Sequence, residues 1–246
     1  MSSISIITAT YNSLPTLKLA WESLCSQGFM DWEWVVVDGA STDGTKEWLS
    51  TIEDKRIQWK SEKDKGIYDA LNKGLARANG TFIGFLHADD FFATKEILAQ
   101  IHAALVSTNA DGIYGDLKYV SSESGSIIRH WKSEVFKQKL LLKGWMPPHP
   151  TCFFKKEVYS QMGLFDTSFK IAADYDFLLR CFLNDEFTFT YIPIVITHMR
   201  IGGASSKWQN MYKKSKEDIR ALSKNNMTFP LWIVVRKIGS KLKQFI

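Results

Sequence analysis

The sequence predicts an α/β fold in which a mainly parallel sheet carries helices on both faces. In the first half of the chain, runs of β-branched and aromatic residues alternate with segments of helical apolar spacing. This order is typical of parallel sheets, because parallel strands need a crossover connection that is usually a helix. The 246 residues suffice for one large domain with a full core. A ligand of such a sheet is expected beyond the carboxyl ends of its strands.

Apolar periodicity and turn residues place the elements of the first half. The first predicted helix has Leu17, Ala20, Trp21 and Leu24 on one face, and Asn79-Gly80 ends the third. The predicted strands are residues 3–9, 33–37, 57–61, 82–86 and 112–120, and the predicted helices are residues 14–26, 45–52, 67–78 and 97–106.

The second half is less regular and contains a rigid proline-rich loop at residues 147–150. We expect a return strand at 127–131, a helix at 172–182, edge strands at 187–192 and 195–198, a flexible joint at 202–205 and a basic helix at 207–224. No linker or internal repeat requires a second domain. We therefore expect one domain over residues 1–206, with a nucleotide-binding half over 1–120 and an acceptor half over 121–206, and a helical tail over 207–246.

Composition excludes several classes of protein. The three cysteines, Cys25, Cys152 and Cys181, are odd in number and widely spaced, which argues against a disulfide framework or a zinc site. They fit a reducing, cytoplasmic compartment. The first nine residues lack a basic stretch and a cleavage site, so we interpret them as a strand and not as a signal peptide. No apolar run is long enough to predict a transmembrane helix.

The net charge of +5 lies in the tail, because residues 207–246 contain ten Lys or Arg against two Asp or Glu. Within residues 229–246, five apolar residues share one helical face with lysines opposite: Trp232, Val235, Ile238, Leu242 and Phe245. This pattern is typical of a helix lying in a membrane interface and contacting anionic lipid. The alternatives are a solvated basic face or a helix that packs on the domain itself.

Polar residues follow four consecutive predicted strands, where a ligand of an α/β sheet is expected. Asp38 is suited to accept hydrogen bonds from a nucleobase, and the Tyr11 ring is suited to cover that base. No phosphate-binding glycine motif is present, so a bound diphosphate must be neutralised by a metal or by basic side chains. The strand-end residues are Thr8, Tyr11, Asn12, Asp38, Asp64, Lys65, Asp89 and Asp90.

Asp89 and Asp90 follow the apolar run of residues 82–88 and form the most informative pair of the chain. Two adjacent carboxylates at the end of a buried strand are poorly placed for packing. They are well placed to hold Mg²⁺ or Mn²⁺, which prefer carboxylate and phosphate oxygens. The alternative is that one of them is the N-cap of the next helix.

Four ordered segments of the chain carry a family resemblance: residues 5–12 (SIITATYN), 36–45 (VVDGASTDGT), 64–74 (DKGIYDALNKG) and 85–90 (FLHADD). Over roughly residues 3–206 the chain resembles inverting family 2 glycosyltransferases with the Rossmann-like GT-A fold. It is most similar to the bacterial branch that builds O-antigen and exopolysaccharide repeat units.

The resemblance implies roles for residues that match the family's motifs. Thr8, Ala9, Tyr11 and Asp38 correspond to base- and ribose-binding positions. Asp90 corresponds to the direct metal ligand, and Asp89 to a residue that contacts the donor's ribose or sugar beside the metal. Asp174 corresponds to the catalytic base, although Ala173 stands where glutamate is common, which leaves Asp176 open as the alternative. Inversion at an anomeric carbon needs such a base to take the proton of the acceptor hydroxyl. Asp174 also has a structural alternative as a helix N-cap, and Asp176 is spaced to pair with Arg180.

Other residues are weaker candidates, each with a purely structural alternative. Lys65 is a candidate for contacting phosphate, and Asp69 and Asn72 for orienting the donor sugar. His149 and Trp145 are candidates for the acceptor site, against a strand cap and a core aromatic. His198 is a candidate third metal ligand, against a satisfied core histidine.

Taken together, these features predict a metal-dependent, inverting glycosyltransferase that uses Mn²⁺ or Mg²⁺. We expect it to move a hexose from a nucleotide diphosphate sugar, with a UDP-sugar favoured over a GDP-sugar, to a polyprenyl-diphosphate-linked acceptor. The expected location is the cytoplasmic face of the bacterial membrane, with no role for nucleic acid. One alternative is a sugar nucleotidyltransferase, although residues 8–13 lack the glycine-rich basic loop of that class. The other is a non-catalytic subunit that binds sugar nucleotides.

Overall fold

A computed structural model describes residues 2–201 and 208–241 of the chain. The described part contains one sheet with the strands β1 Ile4–Thr10, β2 Trp32–Asp38, β3 Ile57–Ser61, β4 Phe82–Phe85, β5 Asp90–Phe92, β6 Gly112–Ser121, β7 Ile127–Trp131, β8 Phe153–Lys155 and β9 Phe189–Ile201. Its α-helices are α1 Leu14–Cys25, α2 Thr45–Ser50, α3 Ile67–Arg77, α4 Ile97–Thr108, α5 Lys156–Met162, α6 Ala173–Leu183, α7 Trp208–Lys224 and α8 Pro230–Lys241. The predicted joint at 202–205 lies outside the described residues.

The sheet has the order β3-β2-β1-β4-β8-β6-β9-β5, with β7 paired to β6. The first four strands of this order are parallel, and each is connected through a helix, as the sequence predicts. The register pairs Thr10 with Asp38 and Asp38 with Ser61, so the carboxyl ends of β1, β2 and β3 lie side by side in the sheet. The predicted α/β fold is confirmed, and the strand ends form one continuous rim.

The second half of the sheet differs from the sequence expectation. Residues 187–192 and 195–198, expected as two edge strands, form the single strand β9, so that expectation is wrong. The strand is interior, because it runs parallel to β6 and antiparallel to β5. Pro193, which falls between the two predicted strands, lies at a register shift between β6 and β9. A bulge of this kind accommodates a residue that lacks an N–H donor.

Asp90 lies in the short strand β5 and not in a loop. The next helix, α4, begins at Ile97 with Glu96 as its N-cap residue. The alternative interpretation of the aspartate pair as a helix cap is therefore wrong.

Two hydrophobic clusters cover the two faces of the sheet. The first contains Leu71 from α3 and Phe177 from α6, and the second contains Leu17 from α1 and Ile101 from α4. Because helices from both halves of the chain contribute to the first cluster, the two halves share one core.

Helices α7 and α8 pack on this same core. Ala221, Leu222, Ile233 and Val234 are buried within the first cluster. One face of the predicted tail therefore packs on the domain, which was one of the alternatives to a helix in the membrane interface. No helix in the described ranges is long and apolar enough to cross a bilayer.

Candidate active site

Asp38 ends β2 at the rim of the sheet and is fully buried. Its carboxylate accepts hydrogen bonds from the backbone N–H and the hydroxyl of Ser41, and from the Ser61 hydroxyl at 2.6 Å. These donors fix the orientation of the carboxylate at the end of the strand. Each carboxylate oxygen already accepts two of these bonds, so a ligand N–H would have to displace a serine donor.

Beside Asp38, the Tyr11 and Asp64 side chains closely approach Gly39, and we call this place the Gly39 slot. A Cβ atom added to Gly39 would lie 2.6 Å from Asp64 Oδ2 and 3.3 Å from Tyr11 Cδ2. The Tyr11 ring is 62% exposed and free of the core, as a side chain that covers a bound base must be. The absent side chain of Gly39 therefore allows the Tyr11 ring and the Asp64 carboxylate to pack against the backbone beside Asp38.

Two of the predicted donor-binding residues point elsewhere. The Thr8 hydroxyl is buried, donates to the Leu86 carbonyl at 2.6 Å and accepts from the Trp34 indole at 2.8 Å. The Asn72 amide donates to the Phe165 carbonyl at 2.8 Å and accepts from the Phe165 N–H at 3.0 Å. Both side chains are satisfied within the fold, so we correct their expected roles to structural ones. Ala9, which is half-buried, packs its methyl group against the first cluster.

Lys65 and Asp69 lie where α3 begins, beside the rim. Asp69 accepts a hydrogen bond from the backbone N–H of Lys65 at 3.0 Å, and its carboxylate lies 3.3 Å from the Lys73 ammonium. The Lys65 hydrogen bond and the Lys73 charge lower the pKa of Asp69. Asp69 therefore orders the loop before the helix, while the Lys65 side chain is exposed at the rim.

Asp90 is the most unusual side chain of the site. It is fully buried, and neither carboxylate oxygen has a hydrogen-bond partner within the described part of the chain. Burial and the neighbouring Asp89 raise the pKa of Asp90 well above its ordinary value. The backbone N–H and the charge of Arg200 oppose this shift without cancelling it. A buried carboxylate that has lost water and gained no full hydrogen bond is costly. A divalent cation between Asp89 and Asp90 would remove this cost, so these residues fit a Mg²⁺ or Mn²⁺ ligand set.

His198 does not join that set. It pairs with Phe91 in the register of β5 and β9, whereas Asp90 pairs with Met199. Successive side chains of a strand point to opposite faces, so His198 and Asp90 lie on opposite sides of the sheet. The His198 ring contacts Phe91 edge to face at 5.1 Å. This register shows that the expectation that His198 binds the metal is wrong.

Among the described residues, no cluster of three or more histidine, cysteine or acidic side chains is arranged to hold a metal.

A cavity of about 150 Å³ lies on the face of the sheet to which Asp90 points. Its floor includes Met199, the register partner of Asp90, and Tyr119, the partner of Met199 on β6. Its wall includes His87, His149 and Asp174. We call this space the catalytic cavity, because it joins the face of the predicted metal site to the predicted base.

Asp174 lies in the first turn of α6 and is half-buried. Its carboxylate lies 3.1 Å from the Tyr68 hydroxyl, which donates to it. Burial alone would raise its pKa, but His149 in its protonated form, nearby Lys214 and the Tyr175 backbone N–H lower it below the ordinary value. The group is ionised near neutral pH and is able to accept a proton.

The histidines of the cavity are held neutral. Burial lowers the pKa of His149 to about 4, and burial also lowers the pKa of His87. Nε2 of His149 is buried without a hydrogen-bond partner in the described ranges. The His149 ring packs 4.7 Å from the Phe85 ring. His149 therefore lines the wall near Asp174, where we expected an acceptor residue.

Asp176 has a structural role. It is fully buried, and its carboxylate binds Arg180 Nε and Lys224 Nζ, each at 3.2 Å, and the Asn225 amide at 3.0 Å. The predicted pair with Arg180 is confirmed. Of the two candidate bases, only Asp174 faces the cavity.

Trp145 lies outside the catalytic cavity. Its ring packs against Tyr114, Phe136 and Phe182 at centroid distances of 5.8 to 5.9 Å. The indole is thus part of an aromatic cluster, and it also lines a second cavity beside the catalytic cavity, so its role at the acceptor site stays a prediction. Trp131, by contrast, lines the catalytic cavity.

Sequence reasoning missed several residues of the site: Tyr68, His87, Arg129, Lys214 and Lys237. Lys214 and Lys237 come from α7 and α8, which the sequence placed outside the domain. In the sequence, the only indication that Lys237 faces the domain was its position on the side of α8 opposite Trp232.

Comparison with known proteins agrees with this geometry. Residues 5–164 match the family model described as Glycosyl transferase family 2. The chain belongs to glycosyl transferase family 2. A PGL/p-HBAD biosynthesis glycosyltransferase of Mycobacterium tuberculosis is 30% identical over 208 residues, covering 82% of this chain and 78% of the relative. An uncharacterized glycosyltransferase of the same species is 32% identical over 186 residues, covering 74% of this chain and 70% of the relative. The residues matched by the family model include all four motif segments of the sequence.

Solved structures show the same fold. A structure of S. aureus TarS in complex with UDP-GlcNAc has a TM-score of 0.73 and 18% identity, covering 99% of this chain and 73% of that one. The mannosyltransferase PcManGT from Pyrobaculum calidifontis, in complex with GDP-Man and Mn²⁺, has a TM-score of 0.65 and 20% identity, covering 96% and 68%. The chain spans 39% of a longer TarS structure. This family member therefore has the GT-A fold.

Proposed function

We propose that this family 2 glycosyltransferase is metal-dependent and inverting. It transfers a hexose from a nucleotide diphosphate sugar to a lipid-linked oligosaccharide during bacterial cell-surface polysaccharide synthesis, such as O-antigen or exopolysaccharide. The observation that carries this proposal is the buried, unpartnered carboxylate of Asp90 on the face of the cavity that Asp174 also lines.

The donor binds along the rim of the sheet in this proposal. Tyr11 covers the base, Asp38 accepts its N–H groups, and the slot at Gly39 admits the nucleoside. The exposed ammonium of Lys65 lies at the same rim and is available to phosphate oxygens. We favour a UDP-sugar over a GDP-sugar. Two structural neighbours, bound to UDP-GlcNAc and to GDP-Man, are compatible with either choice.

Asp89 and Asp90 would hold Mn²⁺ or Mg²⁺ against the donor diphosphate. When bound, the cation neutralises charge that develops on the leaving nucleoside diphosphate. Asp90 is buried and lies in β5, so its carboxylate loses little side-chain freedom when it binds the cation. PcManGT, which was solved with Mn²⁺, supports this choice of metal.

Asp174 takes the proton of the acceptor hydroxyl. The acceptor oxygen attacks the anomeric carbon from the face opposite the leaving group, and the bond to the diphosphate oxygen breaks, which inverts the configuration. The lowered pKa of Asp174 keeps it ionised for this step, and the Tyr68 hydroxyl holds its carboxylate in place. His149 and the floor of the cavity position the acceptor beside it.

The exposed face of α8 supports a location at the membrane surface. Trp232, Val235 and Ile238 are 56%, 52% and 46% exposed on one face, while Ile233 and Val234 on the other face are buried. The Arg236 guanidinium lies 5.1 Å from the centre of the Trp232 ring. An apolar face bordered by cations is suited to an anionic lipid interface.

Donor binding tests the proposal directly. Thermal unfolding is recorded with UDP-, GDP- and other nucleotide sugars, each with and without Mn²⁺. We expect the right donor to raise the melting temperature only when Mn²⁺ is present. Asp90→Asn should remove this metal-dependent shift. Equal shifts with and without Mn²⁺ in the wild type would refute metal-dependent donor binding.

Product analysis separates the rival functions. A glycosyltransferase releases nucleoside diphosphate, whereas a sugar nucleotidyltransferase releases pyrophosphate. A non-catalytic binding subunit would bind the donor with Mn²⁺ and release neither product with any acceptor. The ionised Asp174 in the cavity favours the first outcome.

A further inference from the structure

A second cavity of about 240 Å³ adjoins the catalytic cavity. The two spaces share Arg129, Trp131, Met146 and Lys237 as lining residues. We call the second space the adjoining cavity. Because the shared residues come from β7, the following loop and α8, the adjoining cavity lies between the acceptor half of the sheet and the C-terminal helices.

The charged residues of the two cavities are predominantly cationic. The described lining residues include two carboxylates, Asp174 and Glu134. The cationic lining residues are Arg129, Lys132, Lys143, Lys214 and Lys237. A cavity with such a surplus of positive charge is complementary to an anion.

Lys237 is held rigidly at the junction. It is 8% exposed, its ammonium binds the Asp218 carboxylate at 2.9 Å, and it lies 3.3 Å from the centre of the Tyr175 ring. Burial lowers the pKa of Lys237, Asp218 opposes this shift, and nearby Lys214 adds to it. Lys214 and Lys237 are therefore close enough to repel one another, and an anion between them would relieve that repulsion.

The close packing of α8 against the preceding turn depends on Gly144. Gly144 has a φ of +74°, and a Cβ atom there would lie 2.6 Å from the Lys237 Cβ and 2.7 Å from the Ile233 carbonyl oxygen. Only glycine allows the 138–143 turn to approach α8 this closely. The helix thus contributes a fixed wall to the cavity.

We propose that α7 and α8 form the acceptor wall of the active site, where Lys214, Lys237 and Arg129 bind the phosphate or diphosphate group of an anionic acceptor. This inference rests on the proposed function and names the feature of the acceptor that the enzyme recognises. The opposite face of α8 carries Trp232 and Val235, so one helix presents cations to the acceptor headgroup and apolar residues to solvent.

The test is isothermal titration of the full chain in EDTA with farnesyl diphosphate, inorganic pyrophosphate and farnesol. EDTA removes the cation that would hold a diphosphate at Asp89 and Asp90. We expect the wild type to bind farnesyl diphosphate and not farnesol. Lys214→Gln should weaken this binding about tenfold, because a charge-assisted hydrogen bond is lost. The control Lys216→Gln removes the same charge from an exposed position on α7, outside both cavities, and should leave binding unchanged.

A second variant addresses Lys237. Lys237→Met combined with Asp218→Asn removes both charges of the buried pair together, so neither remains unpaired, and thermal unfolding verifies the fold. We expect about a tenfold loss here also. If pyrophosphate binds with the same dependence on Lys214, the subsite accepts phosphate groups in general. If farnesyl diphosphate binds more tightly than pyrophosphate, the subsite recognises a lipid headgroup. Either result supports the anion subsite. Unchanged binding in both variants, or equal loss in Lys216→Gln, overturns it.

Binding of UDP with Mn²⁺ is measured on the same preparations. If Lys214→Gln weakens UDP–Mn²⁺ binding as much as farnesyl diphosphate binding, the wall serves the donor and the inference is overturned. If the wild type fails to bind any nucleotide sugar, the proposed function fails. The titrations in EDTA still report on the anion subsite in that case.

Discussion

The Tyr68 hydroxyl, in the first turn of α3, lies 3.1 Å from the carboxylate of Asp174, in the first turn of α6. The hydroxyl has a single proton, which it shares between the Asp174 carboxylate and the Ile171 carbonyl oxygen 2.6 Å away. Burial and the nearby Asp174 charge raise the pKa of Tyr68, so the phenol stays protonated and remains a donor. This contact joins the nucleotide-binding half to the base and fixes the carboxylate relative to the donor.

Replacing Tyr68 by phenylalanine should therefore change the pH dependence of catalysis. The pKa of Asp174 is lowered in the folded protein, so its active, ionised form persists above that pKa and is lost as the pH falls through it. Tyr68→Phe removes a donor to the ionised form, which raises the pKa. The acidic limb of the kcat/KM profile should move to higher pH. Tyr159→Phe is the matched control, because its buried hydroxyl has no hydrogen-bond partner in the described structure. Coincident profiles for wild type and Tyr68→Phe would contradict this role.

Asp174→Asn should abolish most of the transfer while leaving the donor site intact. Loss of a general base typically costs about 10² to 10⁴ in rate. We expect kcat to fall by that factor and the donor dissociation constant with Mn²⁺ to stay nearly unchanged. Initial rates and donor titration measure the two quantities separately. A variant with wild-type turnover would exclude Asp174 as the base.

Asp176→Ala should act on stability instead. The substitution leaves Arg180 and Lys224 without their shared, fully buried partner. Breaking a buried ion pair by removing one partner costs about 3 to 5 kcal/mol. Chemical denaturation should show a loss of this size, and the protein that remains folded should still bind the donor. A stable but inactive Asp176→Ala would reopen the choice between the two aspartates.

Local sequence was enough to predict the rim of the site. Tyr11, Asp38 and Asp89–Asp90 each follow an apolar run, and parallel strands connected by helices bring such ends to one edge of a sheet. The structural role of Asp176 also followed from helical spacing, since Arg180 lies four residues beyond it.

Residues that depend on tertiary register were harder to place. His198 and Met199 are neighbours in sequence, but only the pairing of β5 with β9 shows which one shares a face with Asp90. Asn72 is polar and lies near the rim, yet its amide binds Phe165, which is 93 residues away. Lys237 was assigned to a surface helix, because no local pattern shows that α8 returns to the core.

Gly39→Ala should weaken donor binding with little effect on the fold. The added methyl group would lie 2.6 Å from Asp64 Oδ2 and 3.3 Å from the Tyr11 ring, so one of these side chains must move into the slot. Because no positive φ is required at Gly39, the backbone itself tolerates alanine. We expect about a tenfold or greater loss of nucleotide affinity, since a misplaced contact here removes both stacking and hydrogen bonding. Calorimetric titration with the nucleotide and thermal unfolding distinguish the two effects.

An unchanged affinity in Gly39→Ala would place the nucleoside outside this slot. Gly125→Ala is a suitable comparison for the loss of a surface glycine, because nothing lies within 4 Å of its added Cβ. Its positive φ of +68° adds backbone strain, so it should lower stability more than Gly39→Ala does while leaving nucleotide affinity intact.

The exposed face of α8 gives the last prediction. Trp232→Ser combined with Val235→Ser removes two apolar side chains that do not contribute to the core, so folding should be preserved. Cosedimentation with vesicles that contain anionic lipid should show binding of the wild type and about a tenfold weaker binding of the variant, because less apolar surface is available to the interface. Transfer to a soluble acceptor should be unaffected.

Val106→Ser is the matched control for this prediction. Val106 is 63% exposed on α4, whose buried side chains belong to the cluster on the other face of the sheet from α8. Vesicle binding should therefore survive Val106→Ser. High salt should weaken the binding of the wild type, because cations such as Arg236 attract anionic headgroups only within a short screening length. Binding that persists in the α8 variant would show that another surface meets the membrane.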